Sequence, residues 1–409
     1  MNLRYSFWLV TVFAFLMSCN DIRIKKDENI PFEKLSPEST GIYFSNIITP
    51  NIETSENLFD YDYFYNGSGV GIADINNDGL KDVLFTANQQ ENKLFLNKGN
   101  LRFEDITELS NINPENKNWS SGVTFADINN DGWLDIYISQ GGPYDSKNRK
   151  NLLLINNQNL TFSEKAQEYG LDDKGISTQS AFFDFDKDGD LDCIVMNENE
   201  FFGYDPISFF KKYEDKSILM QNSSHLYEQK DEKFINITGQ AGLLSPTFGL
   251  GLCISDMNND SWPDIYIAND YYIKDAMYIN NQDGTFTNKI HESTKQISFF
   301  GMGVDIEDIN NDNLSDIFVL DMASSDHVRS KTLMASMNTS NFDLITNKLD
   351  QHYQYMFNSL QLNLGNDKYH NISHQLNIAK TDWSWAGLIF DYNLDGNEDI
   401  FVTNGYRKY

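Results

Sequence analysis

Cysteine is nearly absent. The 409-residue chain has three, Cys19, Cys193 and Cys253, which excludes a framework of paired cysteines. Cys193 and Cys253 sit inside apolar runs, "DCIVM" and "GLCIS", where a free thiol behaves as a small buried hydrophobe. Histidine is scarce too: His225, His291, His327, His352, His370 and His374. Only "HNISH" (His370, His374) has a ligand-like spacing, in a strand-like stretch where four residues apart means one face; a structural role is the better reading. No "GxSxG" elbow and no "HExxH" helix occurs, so two common hydrolase frameworks are missing. Positive charge is deficient: 31 Lys and Arg stand against 60 Asp and Glu, a net charge of −29. That balance repels nucleic acid, whose binding relies on cationic contacts to phosphate. It also works against a compact fold unless counter-ions are held, and bound divalent cations would relieve it.

The one apolar run near the N-terminus, Tyr5 to Leu16, is too short to span a membrane comfortably. With Arg4 before it, "MNLRYSFWLVTVFAFLMSC" reads as a targeting segment. Its end, "LMSC", resembles a bacterial lipobox, in which Cys19 is lipidated and becomes the mature N-terminus; an ordinary signal peptide with a coincidental cysteine is the alternative. A lipid anchors a chain without a spanning helix. The expected organisation is a signal peptide over 1–18, a polar tether over 19–36 and a folded part over 37–409. In the tether "KKDE" (Lys25 to Glu28) resembles signals that send some Bacteroidetes lipoproteins to the cell surface. The expected location is that of an exported bacterial lipoprotein at the outer membrane, with the cell surface as one option and the leaflet left open.

What the chain has in abundance is one loop, repeated six times: "DINNDGLKD", "DINNDGWLD", "DFDKDGDLD", "DMNNDSWPD", "DINNDNLSD" and "DYNLDGNED", starting at 74, 127, 184, 256, 308 and 391. The unit is a little over fifty residues, lengthened twice. A short apolar run precedes each loop, and a β-branched and aromatic run follows it ("VLFTA", "IYIS", "CIVM", "IYIA", "IFVL", "IFVT"). These are strand signals with the loop as hairpin. Two further runs per unit ("NKLFLN", "LRFEDIT") give four strands, a to d. Four-stranded units at this period predict an all-β propeller, with six blades or part of a seven-bladed ring. Gly71, Gly122, Gly251, Gly303 and Gly387 in strand a suit crowding around a channel, with a β-bulge as the competing reading. The segment Pro31 to Phe44 resembles a d strand without its blade. It would complete the last blade; the alternative is a truncated chain with an incomplete ring.

Calcium takes six to eight oxygen ligands in flexible geometry. Positions 1, 3, 5, 7 (through its carbonyl) and 9 of a tight loop supply them. In order these are Asp74, Asn76, Asp78, Leu80 and Asp82; Asp127, Asn129, Asp131, Trp133 and Asp135; Asp184, Asp186, Asp188, Asp190 and Asp192. The later three are Asp256, Asn258, Asp260, Trp262 and Asp264; Asp308, Asn310, Asp312, Leu314 and Asp316; Asp391, Asn393, Asp395, Asn397 and Asp399. One copy is equally a solvated turn, but six copies that all keep the final Asp point to calcium. Zinc lacks its Cys and His ligands here. The third loop is the most anionic. Ser261 stands where the turn wants glycine with positive φ, so the fourth site should be the weakest or most distorted.

At this point the chain resembles the FG-GAP/VCBS repeat family of integrin-α-like β-propellers. More narrowly it is similar to bacterial relatives of cartilage acidic protein that carry a C-terminal ASPIC/UnbV segment. "DINNDGWLDIYIS", "ANDYY", "NNQDGTF" and "TNGYRKY" carry the likeness over about Pro31 to Tyr409. The chain departs from the pattern in having six loops and no ASPIC/UnbV segment. The resemblance implies a calcium-binding extracellular recognition module.

Propeller hairpins alternate faces, so the a–b loops share one face, and the b–c and d–a loops share the other. Both long insertions are b–c loops: Asn199 to Ser223, and Ser324 to Phe357 with Met334, Met337, Phe342, Tyr353 and Tyr355 at partly helical spacing. Binding usually sits on loops grown from a rigid scaffold. The candidate ligand contacts are Tyr65, Trp119, Asn269, Asp270, Tyr271, Tyr353, Tyr355, Trp383 and Trp385, since aromatics with polar handles suit sugar or protein. Packing between blades is the competing fate of each. The expected function is adhesion or recognition of a protein or glycan, without catalysis. The alternatives are a polysaccharide-active lyase or hydrolase, or a fragment of a longer protein that does little alone.

Overall fold

A computed structural model describes residues 32–114, 119–146, 149–332 and 339–405. Cys19, the signal peptide, most of the tether, Met334 and Met337 lie outside them. The chain divides into two units, Met1–Leu35 and Ser36–Tyr409; in the first, the described residues 32–35 contain no helix or strand.

The second unit is an all-β propeller of six blades. Five are four-stranded antiparallel sheets in the order a-b-c-d. Blade 1 is Val70–Ala73, Asp82–Phe85, Lys93–Asn97 and Phe103–Asp105; blade 2 is Ser120–Ala126, Asp135–Gln140, Leu152–Asn156 and Phe162–Glu164. Blade 3 is Ser177–Phe183, Asp192–Asn197, His225–Lys230 and Lys233–Asn236; blade 4 is Gly249–Ser255, Asp264–Asn269, Ala276–Asn280 and Phe286–Asn288. Blade 5 is Val304–Glu307, Asp316–Val319, Ser359–Asn363 and Tyr369–Asn371. Blade 6 contributes strands a and b, Asp382–Phe390 and Asp399–Asn404, and Met322–Ala323 from the preceding repeat pairs with the start of its strand a.

The b strands of blades 2 to 5 are buried at every residue. A strand covered on both faces reads as a continuous apolar run, which is why "IYIS" and "IFVL" lack alternation. The core lies between successive blades. Leu84 and Leu94 pack on Ile136, Ile138 and Leu152; Tyr137 and Leu153 on Cys193 and Val195; Ile194 and Leu226 on Ile265 and Ile267. Strand a is crowded as the glycines predict: a Cβ on Gly122 would lie 2.4 Å from Thr178 O of the next blade. Both readings of these glycines hold, since the register also shifts between Ser120 and Val123. Cys193 and Cys253 are free thiols, as expected.

Two expectations change. No strand covers 32–44. Instead Pro37–Thr40 is a helical turn, N-capped by Ser36 and closed by Gly41 at φ 83°. Ser followed by proline starts a helix because the hydroxyl caps a free N–H and proline fixes φ. Similar turns follow strand d in other blades (Thr107–Ser110, Ala166–Tyr169). The segment is thus the turn that succeeds a d strand, lying against blade 1 with the Gly41 Cα next to Phe103 O. Second, the "HNISH" pair does not share a strand face: His370 lies in strand d of blade 5, and His374 follows it in a turn, its ring 4.7 Å from Phe357. The insertion over 324–357 is helical as its spacing predicts, with Arg329–Thr332 and Thr339–Asp343, and the other insertion is helical too, with Pro206–Lys212 and Lys216–Gln221.

A buried ion pair fastens blade 3 to the loop before it. His225 Nδ1 lies 2.5 Å from Asp173 Oδ2, Tyr227 donates to the same oxygen at 2.7 Å, and His225 Nε2 faces Met220 O at 2.8 Å. Burial opposes the imidazolium, but the Asp173 carboxylate outweighs it and raises His225 to about 8. Burial likewise opposes the Asp173 charge, yet His225 and the Tyr227 hydroxyl hold it down at about 2. The histidine's contribution is complete below its unfolded value of about 6.5 and is lost as pH rises through about 8. The aspartate's is complete above its unfolded value and is lost as pH falls through about 2. Asp173→Asn should destabilise the protein by about 3–5 kcal/mol at neutral pH, since it strands a buried charge. Urea unfolding at several pH values will show this difference shrinking above pH 8.

Candidate functional site

The six a–b loops share one geometry. In the first, Asp74 accepts from Asp78 N at 3.1 Å and Gly79 N at 2.8 Å, and Asp78 accepts from Leu80 N at 2.8 Å. The bond from position 6 N–H to the position 1 carboxylate recurs in every loop, from Gly132, Gly189, Ser261, Asn313 and Gly396. Position 6 has positive φ throughout, including Ser261 at 70° and Asn313 at 66°. The expected distortion at Ser261 is absent: its N–H still reaches Asp256 at 2.7 Å. The strain is absorbed in φ, where a non-glycine residue is disfavoured.

The last carboxylate of the loop turns inward. Asp82 accepts from Ile75 N within the loop and from Asn97 N at the end of strand c, at 3.0 and 2.7 Å. Asp135, Asp192, Asp264 and Asp316 make the same two bonds. Burial, reinforced by the other loop acids, raises these carboxyls: Asp192 to about 8, Asp264 to about 7, Asp135 and Asp316 to about 6. In four loops the position 3 amide softens the repulsion by donating to position 5, as Asn76 does to Asp78 at 2.9 Å. The third loop has Asp186 there and no such donor. Asp184, Asp186 and Asp188 each offer an oxygen within 4.8 Å of the others, and Asp184 Oδ1 and Asp190 Oδ1 are buried without a partner. Burial first, then Asp188, lifts Asp190 to about 6. Clustered carboxylates with orphaned oxygens fit a hard divalent cation that takes oxygen ligands.

One part of this rim went unread in the sequence. Position 4 also has positive φ in all six loops: Asn77, Asn130, Lys187, Asn259, Asn311 and Leu394, between 56° and 61°. From there side chains reach the next loop. Asn77 donates to Gly132 O at 3.0 Å, Asn259 to Asn313 O at 2.7 Å and Asn311 to Gly396 O at 3.4 Å, while Lys187 lies 4.6 Å over the Trp262 ring. The recurring Asn-Asn pair at positions 3 and 4 carried that signal.

On the opposite face, most of the nine candidate contacts are internal. Trp119 is buried beside Tyr61 and Phe64. Asn269 accepts from Phe248 N, and Asp270 accepts from Tyr63 OH at 2.8 Å. Tyr271 is half-buried and donates to Asp62 at 2.9 Å. Trp383 and Trp385 are half-buried in one cluster, and Trp385 Nε1 bonds Gly405 O at 3.0 Å. Tyr355 is half-buried and stacks on Phe357. Tyr65 and Tyr353 remain exposed, at 45% and 47%. The segment before blade 1 lies across this face: Tyr61 OH bonds Glu198 at 3.0 Å in the b–c loop of blade 3. Burial raises Glu198 well above the carboxylate range and Asp270 to about 7. A cleft of about 450 Å³ opens here, lined by Asp60, Tyr61, Tyr144, Arg149, Glu200 and Phe202, with Arg149 paired to Glu200 at 2.6 Å.

These features define a class, an all-β propeller whose blades are built on repeated carboxylate hairpins. Residues 65–138 and 256–319 match the FG-GAP-like repeat: the chain carries FG-GAP-like repeats. It is 31% identical over 157 residues to cartilage acidic protein 1 of Xenopus tropicalis, a match that covers 37% of this chain and 23% of that protein's length. Among solved structures it is similar to an Agrocybe aegerita lectin that recognises non-reducing terminal N-acetylglucosamine (16% identity, TM-score 0.45, 81% of this chain and 73% of the lectin). It is also similar to the V. cholerae biofilm matrix protein Bap1 (12% identity, TM-score 0.35, 63% of this chain and 35% of that chain).

Ser261→Gly should stabilise the protein by about 0.5–1 kcal/mol by relieving the positive φ, measured by thermal melting in chelator. Tyr63→Phe removes the hydroxyl donor from buried Asp270 and should cost about 1–3 kcal/mol, read from the urea midpoint.

Proposed function

We propose that this chain is a calcium-stabilised recognition module. It is exported as a lipoprotein anchored through Cys19 at a bacterial outer membrane, and binds a protein or glycan with the face opposite its carboxylate loops. The observation that carries the reading is the division of labour between the two ends of the blades. One end repeats the same carboxylate hairpin six times. The other takes the helical insertions, exposes Tyr204, Ile207, Val328 and Tyr353, and holds the cleft beside Arg149 and Glu200.

Calcium would be held by the side-chain oxygens of positions 1, 3, 5 and 9 and the carbonyl of position 7, first in the loop of Asp184, Asp186 and Asp188. It would supply positive charge among acids that otherwise repel. The FG-GAP-like repeats support a recognition role, and the large negative charge of −29 suits a surface that gathers cations.

Calcium at about one hundred times its dissociation constant should raise the stability by about 2.7 kcal/mol, seen as a higher melting temperature that magnesium does not reproduce. Asp184→Asn with Asp188→Asn should remove part of that gain; a melting temperature indifferent to calcium overturns the metal assignment. Screening the calcium-loaded mature chain against glycan arrays and outer-membrane protein extracts tests recognition. Release of a product from a polysaccharide would overturn a purely binding role.

A further inference from the structure

A cavity of about 280 Å³ lies beside the junction of blades 3 and 4, and it shares no lining residue with the cleft at Arg149 and Glu200. Core residues of the two blades form one wall: Leu243 from the turn after blade 3, and Ile267 and Tyr278 from strands b and c of blade 4. Phe210, Tyr213 and Leu219 of the first insertion form another. No residue of Lys216–Gln221 is buried, and Ile218, Leu219 and Met220 are half-buried. That helix thus brings a partly covered apolar run to the cavity. The volume stands near the small end of ligand pockets, which span about 300–1,000 Å³ and set a few polar groups in apolar walls.

Most polar groups of the lining are bonded to one another. Thr247 Oγ1 donates to Asn269 Oδ1 at 3.0 Å, Asn269 Nδ2 to Lys274 O at 3.0 Å, and Tyr278 OH to Leu243 O at 3.4 Å. Lys274 is different. Among the described residues it is the one charged side chain of the lining, and it is a cation in a chain of net charge −29. Its backbone is pinned by Gln351, whose Oε1 accepts from Lys274 N at 3.2 Å. Its Nζ donates to a neutral carbonyl, Asp350 O, at 3.2 Å, while the Asp350 side chain is 87% exposed. An ammonium carries three donors. Burial lowers the Lys274 pKa against the weaker pull of Asp350 and Glu292, so an anion brought to this cation would stabilise it. A single lysine acts as a point charge and suits a monoanion; apolar walls ask for an organic body.

We propose that this cavity binds a small organic carboxylate, with its apolar body among Leu219, Ile267 and Tyr278 and its carboxylate on Lys274 Nζ. This site goes beyond recognition of a protein or glycan, because it takes a small molecule into the body of the propeller.

Calorimetric titration of the protein at neutral pH tests it, with 4-phenylbutyrate as the probe and the neutral 4-phenylbutanamide as its control. Saturable one-to-one binding of the carboxylate is expected, about tenfold or more tighter than that of the amide. Lys274→Met should bring the carboxylate down to the level of the amide and leave the amide unchanged, whereas Lys274→Arg should keep most of the difference. Leu219→Trp, which fills the cavity, should abolish binding of both; if that variant melts early, the two lysine variants still decide the matter. No saturable binding of 4-phenylbutyrate, equal affinity for the two probes, or indifference to Lys274→Met overturns the proposal.

Discussion

The structure hangs on a hydrogen bond from the end of strand c to the last carboxylate of the a–b loop. Asp82 and its four counterparts accept one N–H from their own loop and one from strand c. A nine-residue hairpin is thereby welded to strand c. Without the weld the loop would be an exposed turn; with it, the loop's shape and the blade's register are set together. Buried acceptors with both donors in place are costly to disturb, which accounts for Asp at this position in blades 1 to 5.

Strand c returns the favour to the neighbouring blade. Asn156, Asn280 and Asn363 each reach a carbonyl in the preceding loop, so the same residue that closes one blade joins it to the last. The interior has no single centre: each inter-blade cluster is built from the b and c strands of two neighbours. Stability in such an arrangement is close to a sum of nearest-neighbour terms.

Much of this was legible in the sequence. The repeat, the four strands of each unit and the free thiols followed from periodicity and from the apolar runs, because a strand covered on both faces must be apolar throughout. The helical turn at Pro37–Thr40 was missed because the cap that decides the matter, Ser36 with Pro37, is a two-residue signal. For Trp119, Asn269 and Asp270 the sequence left packing open beside ligand contact, and could not name the partners that bury them. Their partners Tyr61, Tyr63 and Phe64 come from a segment far away in the chain, and no local pattern announces a contact across some two hundred residues (Tyr63 to Asp270). The ion pair of His225 with Asp173 was invisible for the same reason.

That segment has a mechanical meaning. Each blade is held mainly by its neighbours in sequence, so the weakest deformation moves blades that do not touch relative to one another. Tyr63 is rooted beside blade 1, and its hydroxyl ends on Asp270 at the close of strand b in blade 4, three blades further on; Tyr61 does the same to blade 3. The stretch before the first blade is therefore a spoke. It ties blades 3 and 4 to the segment beside blade 1, and a pull on the exposed face is shared by blades that are not neighbours.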